Sequence, residues 1–489
     1  MKEKIINALK WFYKSFIWLF IVLLAIDIAT KQIIMHSGLH PNSGEYFDWG
    51  FVRIGYVLNP NAAFGLGADQ PVVSRVVYLV VASLISTGLI AYLIIKRKTM
   101  KLYVRACLVL IVTGAIGNMI DRIFYASTDF CVVDWIDFYW FWRFNFNIAD
   151  EGSVSGEMVF CTAMTGYPES LTDPSYQGQI LVPTYPMIGN YGAPGDEKDE
   201  HGISRFFESD RIHPVALVIS DYSVGFSHWD AQRSLGDWLR QWKVPGLYGI
   251  DTRALTQKLR EQGSMLGRII FDNNEVPFYD PNSVNLVAQV STDHVVEYGH
   301  GQYKVVLVDC GMKNNILRCL LRYDVTIRRV PWDYDFTNDD YDGLFISNGP
   351  GDPTQCVATI GHLRKALADE RPIMGICLGN QLLALAAGAS TYKLKYGHRG
   401  HNQSVRIPGT HKCFVTSQNH GFAIDNKTLP ADWEPSFENL NDGTNEGIRH
   451  RTKPFFSTQF HPEAAGGPED TEKLFGQFFE NMVNYKKQH

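Results

Sequence analysis

The 489-residue sequence lacks the patterns that mark several common classes of protein. It has no Cys-x-x-Cys pair, and its eight cysteines do not cluster with histidines, which predicts reduced thiols and neither a disulfide framework nor a zinc site. It also has no Gly-x-x-x-x-Gly-Lys-Ser/Thr motif, so we expect no phosphate-binding loop of that type. The formal net charge of -6 argues against a general nucleic-acid binder.

The hydrophobic residues are distributed unevenly, and the length suggests about three domains. Three apolar runs, at residues 16–28, 76–95 and 102–120, predict an N-terminal α-helical membrane region with three spans. Lysines precede the first run, and Lys96, Arg97, Lys98 and Lys101 lie between the second and third. By the positive-inside rule both basic segments are cytoplasmic, which leaves residues 31–71 outside.

Polar residues follow the third apolar run. Asp121 and Arg122 come at its end, and Asp134 and Asp150 lie further along. Ionisable groups at membrane depth are costly, so they are candidates for function. Two carboxylates brought together can share a proton and activate water. The alternative is that Asp121 and Arg122 only pair with each other at the membrane interface.

The motifs of residues 1–150 resemble those of lipoprotein signal peptidase (signal peptidase II), a membrane aspartyl endopeptidase. They are Asp27 with Lys31, NPNAAFG from Asn59, GAIGNMIDR, VVD and FNIAD. The resemblance implies that Asp134 and Asp150 form the catalytic dyad. It gives supporting roles to Asn59, Asn118, Asp121, Arg122 and Asn147. Two features depart from the family: Asn61 replaces a usual glycine, and polar EGSVSGEMVF stands where a fourth membrane helix should follow Asp150.

Residues 151–300 begin without a Gly/Ser/Pro linker. Short apolar segments alternate with turn residues there, which predicts a small α/β, swivel-like domain. The block GIDTRAL predicts an amphipathic helix that is capped by Asp251 and ends near Arg260.

Residues 301–489 alternate buried strands with helices, which predicts a doubly wound α/β domain whose active site lies at the carboxyl ends of the strands. The segment GICLGNQ has the layout of a nucleophile elbow around Cys377. A lone cysteine in an apolar run is more often an inert core residue. His461 and Glu463 at the end of a later strand supply the base and orienting acid of a triad, and NGPGDP adds a glycine-rich loop.

These motifs are similar to those of class I (triad) glutamine amidotransferases. The blocks VDCGMKNNILR, QNHGFA, GIDTRAL and LTDPSY narrow the resemblance, over residues 151–485, to the small chain of carbamoyl-phosphate synthase. It implies that Cys377 attacks the amide of glutamine, that His461 acts as base and acid, and that Glu463 orients His461. Amides near Gly351 and Leu378 would form the oxyanion hole. The implied glutamine-binding residues are Ser175, Gly349, Gly351, Leu378, Gln381, Asn419, Gly421 and Phe422.

The same resemblance implies a separate large chain as partner, which handles ATP and bicarbonate, so that this chain needs no cofactor or metal of its own. Asn380 replaces a histidine common beside the nucleophile, and the family's opening strands are missing before GSVSGE. We expect the substitution to be tolerated, because this position is not a member of the triad.

The two resemblances conflict in topology. Three spans with a cytoplasmic N-terminus would place the amidotransferase outside, although that part normally works in the cytoplasm. Both resemblances are truncated near residues 149–151, which predicts a fused or chimeric chain. We expect lipid contact through residues 1–120 and location in the inner (plasma) membrane. Three hypotheses result: a glutamine-hydrolysing subunit, a peptidase that acts on prolipoprotein, and a fusion in which neither part works.

Overall fold

The computed structural model of the chain describes residues 17–37, 46–48, 53–59, 72–96, 100–124, 132–137, 146–149, 152–271 and 274–489. The chain divides into two compact units, Met1–Arg143 and Phe144–His489. The motifs in the sequence predict the first boundary at residue 150. The structure assigns Phe146–Ala149 to the second unit, because this strand pairs with Gly246–Tyr248.

The first unit combines apolar helices with a small antiparallel sheet. Its elements are α1 (Ile17–Met35), β1 (Tyr46–Asp48), β2 (Arg53–Asn59), α2 (Val72–Lys96), α3 (Leu102–Phe124) and β3 (Val132–Asp137). The strands pair in the order β1-β2-β3. Within the described residues, Trp18–Met35 and Val104–Ile123 are long and apolar enough to cross a membrane, and Val81–Lys96 is a shorter apolar stretch. Two candidate spans are therefore present, and three spans stay a prediction.

The second unit begins with a mixed six-stranded sheet, called sheet A here, in the order β13-β5-β6-β9-β12-β4. The elements of this region are β4 (Phe146–Ala149), β5 (Val154–Cys161), α4 (Tyr167–Thr172), β6 (Gln179–Pro183), β7 (Met187–Ile188), β8 (Ala193–Pro194), β9 (Ala216–Val218), β10 (Asp221–Tyr222), β11 (Ala231–Arg233), α5 (Leu235–Gln241), β12 (Gly246–Tyr248), α6 (Thr252–Gln262) and β13 (Met265–Ile269).

Apolar side chains cover both faces of sheet A. Leu181 packs with Leu171 of α4 and Trp238 of α5, whereas Ile180 packs with Leu259 of α6 on the opposite face. This alternation follows from the two-residue period of a strand. The α/β prediction for this region is confirmed by these layers, and its swivel-like character stays a prediction. Asp251 caps α6 as predicted, since its Oδ1 accepts from Ala254 N at 3.0 Å.

The strand β4 belongs to the FNIAD segment, which the sequence analysis attributed to a peptidase motif. In this chain it forms the edge of sheet A and pairs antiparallel with β12. It therefore supplies an edge strand to sheet A.

The rest of the second unit is built on a ten-stranded sheet, called sheet B here, in the order β14-β16-β15-β17-β18-β23-β22-β21-β19-β20. The elements are α7 (Val287–Val290), β14 (Val296–Tyr298), β15 (Tyr303–Asp309), α8 (Asn314–Leu320), β16 (Val325–Pro331), β17 (Gly343–Ile346), α9 (Val357–Ala366), β18 (Ile373–Ile376), α10 (Leu378–Ala387), β19 (Thr391–Arg406), β20 (Cys413–Ile424), β21 (Trp433–Asn439), β22 (Asn445–His450), β23 (Phe455–Thr458) and α11 (Lys473–Gln488).

The centre of sheet B is parallel, from β16 through β15, β17 and β18 to β23. Val306 and Val308 pack with α9 and α10, whereas Val305 and Leu307 pack with α8 and α11. Helices therefore cover both faces, which confirms the doubly wound prediction. In such a sheet, loops at the carboxyl ends of neighbouring strands meet at one edge, and the candidate site lies there.

Candidate active site

Cys377 occupies a strained turn between β18 and α10. Its φ is 53° and its ψ is -101°, in a region that residues other than glycine rarely adopt. The turn is compact: a Cβ on Gly379 would lie far inside contact distance of the Ile346 carbonyl oxygen. The Cys377 amide donates to Thr458 O at 2.8 Å, which fixes the turn to β23. This is the nucleophile-elbow geometry that the sequence predicted.

His461 and Glu463 follow β23, and both are buried beside the elbow. His461 Nδ1 lies 2.6 Å from Glu463 Oε1. Burial alone would lower the pKa of His461, but the Glu463 carboxylate and nearby Cys377 raise it to about 10. His461 Nε2 is buried and makes no geometrically acceptable hydrogen bond in the described part of the chain, which leaves it available toward the thiol. The three residues predicted for the triad are thus brought together.

Lys313 adds a charge that the sequence analysis did not assign. It precedes α8, it is buried, and its Nζ lies 3.2 Å from Glu463 Oε1. Burial alone would raise the pKa of Glu463, but Lys313 and His461 lower it to about 2. Glu463 is therefore a carboxylate held between two cations. Lys313 lies in the GMKNN block of the sequence, but only the fold shows which acid it contacts.

The pocket at the elbow contains every residue that the sequence predicted for glutamine binding. Those residues line it together with Cys377: Ser175, Gly349, Gly351, Leu378, Gln381, Asn419, Gly421 and Phe422. Ser175 comes from the region of sheet A, and its hydroxyl accepts from Asn348 Nδ2 at 2.9 Å. The site is therefore built jointly by the two sheet regions of the second unit. Eight further residues line the pocket and were not predicted from the sequence: Glu157, Gln179, Ser264, Asn282, Lys393, Leu394, Arg399 and His420.

An amide network supports the pocket beneath the nucleophile. Gln459 Oε1 accepts from Asn380 Nδ2 at 3.0 Å and from Gln381 Nε2 at 3.1 Å. Gln459 Nε2 lies 3.6 Å from the Cys377 sulfur. Asn380, which replaces the histidine expected from the family, is fully buried and also accepts from Ser457 Oγ at 2.8 Å. Both ends of its amide are thus satisfied.

The first unit contains a charged cluster of its own. Lys31 Nζ lies 3.0 Å from Asp27 Oδ2 on the same helix and 2.7 Å from Asp121 Oδ2 on α3. Lys31 and Asp121 are both buried, so this ion pair joins α1 to α3. Asp121 therefore has a partner other than Arg122, the neighbour proposed in the interfacial alternative.

The remaining residues predicted for the peptidase are described only in part. Asn118 is exposed and Arg122 is buried, both on α3. Asp150 and the side chains of Asn59, Asp134 and Asn147 lie outside the described residues. The backbone of Asn147 lies in β4 of sheet A, where it pairs with Leu247. The aspartate dyad stays a prediction.

Three protein families match successive parts of the chain. Residues 19–165 match signal peptidase (SPase) II, residues 143–269 match the carbamoyl-phosphate synthase small chain, CPSase domain, and residues 306–481 match glutamine amidotransferase class-I. The first two matches overlap at residues 143–165, the region in which the sequence analysis placed the junction. Successive parts of the chain thus resemble distinct families, as expected for a fused chain.

Relatives give the same assignment for most of the chain. It is 52% identical over 349 residues to the carbamoyl phosphate synthase arginine-specific small chain of Saccharomyces cerevisiae, covering 69% of this chain and 85% of that protein. The corresponding small chain of Aspergillus niger is 51% identical over 345 residues, covering 68% of this chain and 76% of that protein. The multifunctional protein CAD of Squalus acanthias is 54% identical over 334 residues, which is 67% of this chain but only 15% of that protein. The chain belongs to the family of carbamoyl phosphate synthase small chains.

Proposed function

We propose that the chain hydrolyses glutamine and releases ammonia for a separate large chain that uses ATP and bicarbonate. The observation that carries this proposal is the convergence of Cys377, His461 and Glu463 beside a pocket that Cys377 lines together with all eight residues expected to bind glutamine. Family membership and the match to class-I glutamine amidotransferases support it.

The first half-reaction forms a thioester. The Cys377 thiolate attacks the side-chain amide carbon of glutamine, and the carbonyl electrons move to its oxygen, where amides near Gly351 and Leu378 stabilise the charge. The raised pKa of His461 makes its ring a cation at neutral pH. It gives a proton to the amide nitrogen, the carbon–nitrogen bond breaks, and ammonia leaves.

The second half-reaction returns the enzyme to its starting state. His461, now neutral, takes a proton from water while the water oxygen attacks the thioester carbon. The carbon–sulfur bond then breaks, glutamate leaves, and Cys377 is again a thiolate beside a protonated ring. Glu463 stabilises that ring and fixes its orientation throughout, because it bonds Nδ1 and leaves Nε2 toward the reacting atoms.

The test is glutamate release from glutamine by the purified full-length chain in detergent. We expect Cys377→Ser to abolish it, because a serine hydroxyl is not ionised beside His461. Cys413→Ser is the matched control, since that cysteine is exposed and lies away from the pocket residues. Glutaminase activity that survives Cys377→Ser would rule the proposal out.

A second candidate function is a membrane aspartyl endopeptidase that acts on prolipoproteins. The match of residues 19–165 and the charged cluster of half-buried Asp27 with buried Lys31 and Asp121 support it. For this activity we expect location in the inner membrane and Asp134 and Asp150 as the dyad. The test is cleavage of a prolipoprotein by the full-length chain, with Asp134→Asn as the inactive variant. Absence of cleavage by the unchanged chain would exclude this function.

A further inference from the structure

A buried histidine lies between two carboxylates at the strands behind the glutamine pocket. His398 of β19 has its Nε2 2.8 Å from Asp442 Oδ2 and its Nδ1 3.4 Å from Glu446 Oε1. His398 is 7% exposed and Glu446 is fully buried. We call His398, Asp442 and Glu446, with Asn439 and His420 against them, the imidazole cluster.

The surroundings of His398 fix its charge. Burial alone would lower its pKa, but Asp442 and Glu446 raise it to about 9, so the ring is a cation at neutral pH. His420 lies directly opposite on β20, with the ring centroids 4.9 Å apart in an edge-to-face arrangement. Burial and the charge of His398 lower the pKa of His420, which is therefore neutral.

The cluster also has the spacing of metal ligands. The ligand atoms of His398, His420 and Glu446 lie within 4.8 Å of one another. However, both ring nitrogens of His398 face carboxylates, and Asn439 Nδ2 donates to Glu446 Oε1 at 2.8 Å. These contacts therefore already use most of the nitrogen and oxygen lone pairs that a metal ion would need. Glu446 Oε2 has no partner among the described residues, so a bound cation is the competing occupant in the test below.

Two chain segments connect the cluster to the nucleophile. The Glu446 carbonyl accepts from Gln459 N at 2.9 Å, and Gln459 Nε2 lies 3.6 Å from the Cys377 sulfur. On the other side, His420 follows Asn419, whose carbonyl lies 3.7 Å from the same sulfur. His420 Nδ1 also donates to the carbonyl oxygen of Phe422, a pocket-lining residue, at 2.9 Å.

We propose that His398 is a positioning residue. As a cation, its ring holds Asp442 and Glu446 together and thereby sets the geometry of the glutamine-binding strand β20. This inference rests on the proposed glutaminase function. His398 touches none of the reacting atoms, so it acts through His420 on β20 and through Glu446 and Gln459. Loss of its charge would leave Glu446 buried without a cation and loosen both connections to the pocket.

The test compares His398→Asn with the unchanged full-length chain. We expect KM for glutamine to rise by about tenfold or more and kcat to change by less than about threefold, because the variant loses binding geometry and keeps the triad. Iodoacetamide should alkylate Cys377 at the same rate in His398→Asn as in the unchanged chain. His450→Asn is the matched control: it removes a comparable pair, His450 with Asp432 at 3.2 Å, at residues that do not line the pocket.

A pH series separates positioning from simple packing. In the unchanged chain KM should rise as the pH passes about 9, where His398 loses its proton. Asp442→Asn removes one of the two carboxylates, so the rise in KM should begin at a lower pH. This second variant keeps the inference testable if His398→Asn does not fold.

Three results would overturn the inference. One is an unchanged KM in His398→Asn together with an unshifted pH series in Asp442→Asn, while Cys377→Ser still abolishes glutaminase. Another is an equal loss of kcat, alkylation rate and melting temperature, which would mean a packing role only. The third is one equivalent of zinc, found by mass spectrometry in the unchanged protein and absent from His398→Asn. A wild-type chain without glutaminase would instead overturn the proposed function.

Discussion

The Nδ1 atom of His461 lies 2.6 Å from Oε1 of Glu463, and Lys313 Nζ reaches that same oxygen at 3.2 Å. One carboxylate oxygen thus contacts the His461 imidazole and a buried cation. In the proposed mechanism Glu463 is therefore both the orienting group of the triad and the counter-charge of Lys313.

Glu463→Gln should lower kcat by about 10²- to 10⁴-fold, because the amide no longer stabilises the cationic ring or fixes its tautomer. The measurement is glutamate release at saturating glutamine. Glu434→Gln is the control, since that carboxylate pairs with Arg449 outside the pocket and should leave kcat unchanged. A Glu463→Gln enzyme with full kcat would contradict the assigned role.

Lys313→Met should move the acid limb of the kcat profile to higher pH. The folded pKa of Glu463 is about 2, below its ordinary value, so its stabilising charge is present above that ordinary value and is lost as pH falls through about 2. Without Lys313, burial raises the pKa of Glu463, and protonation begins at higher pH. Lys313→Arg keeps the charge and should shift the limb less.

The control for this series is Lys412→Met, because Lys412 is exposed and lies outside the pocket. Stability gives a second measurement. Removal of one partner of a buried ion pair costs about 3–5 kcal/mol, so urea unfolding of Lys313→Met should begin at lower denaturant. An unshifted acid limb would show that Lys313 does not control the ionisation of Glu463.

Gly379→Ala should destabilise the second unit by about 1–3 kcal/mol, because a Cβ would lie far inside contact distance of a backbone carbonyl in the elbow. Gly361→Ala in α9 is the matched control, since a Cβ there meets nothing within 4 Å. Gly361→Ala should stabilise the second unit by about 0.5–1 kcal/mol, because alanine has a higher helix propensity than glycine. Thermal unfolding compares the two, and equal shifts would show that the elbow is not tightly packed.

A chain that starts at Phe144 should be more stable than one that starts at Gly152. The shorter chain loses β4, which leaves β12 as an exposed edge of sheet A. Such an edge has unpaired backbone groups that favour aggregation. Thermal unfolding and size-exclusion chromatography measure the difference. Identical behaviour of the two chains would mean that β4 contributes nothing to the sheet.

The sequence alone was informative where chemistry is local. The elbow at Cys377 and the helix cap at Asp251 could be predicted because turn residues and capping act over a few residues. The triad and the pocket could be named because their residue types and order match a known family.

Only the tertiary structure showed which residues that are distant in the sequence form ion pairs. Lys313 is 150 positions from Glu463, and His398 is 44 positions from Asp442, so no period or spacing in the sequence links either pair. The tertiary structure also showed what the FNIAD motif forms in this chain. The motif predicts the start of a membrane helix, but Phe146–Ala149 is an edge strand of sheet A. Strand pairing depends on a partner elsewhere in the chain, and here Gly246–Tyr248 provides it.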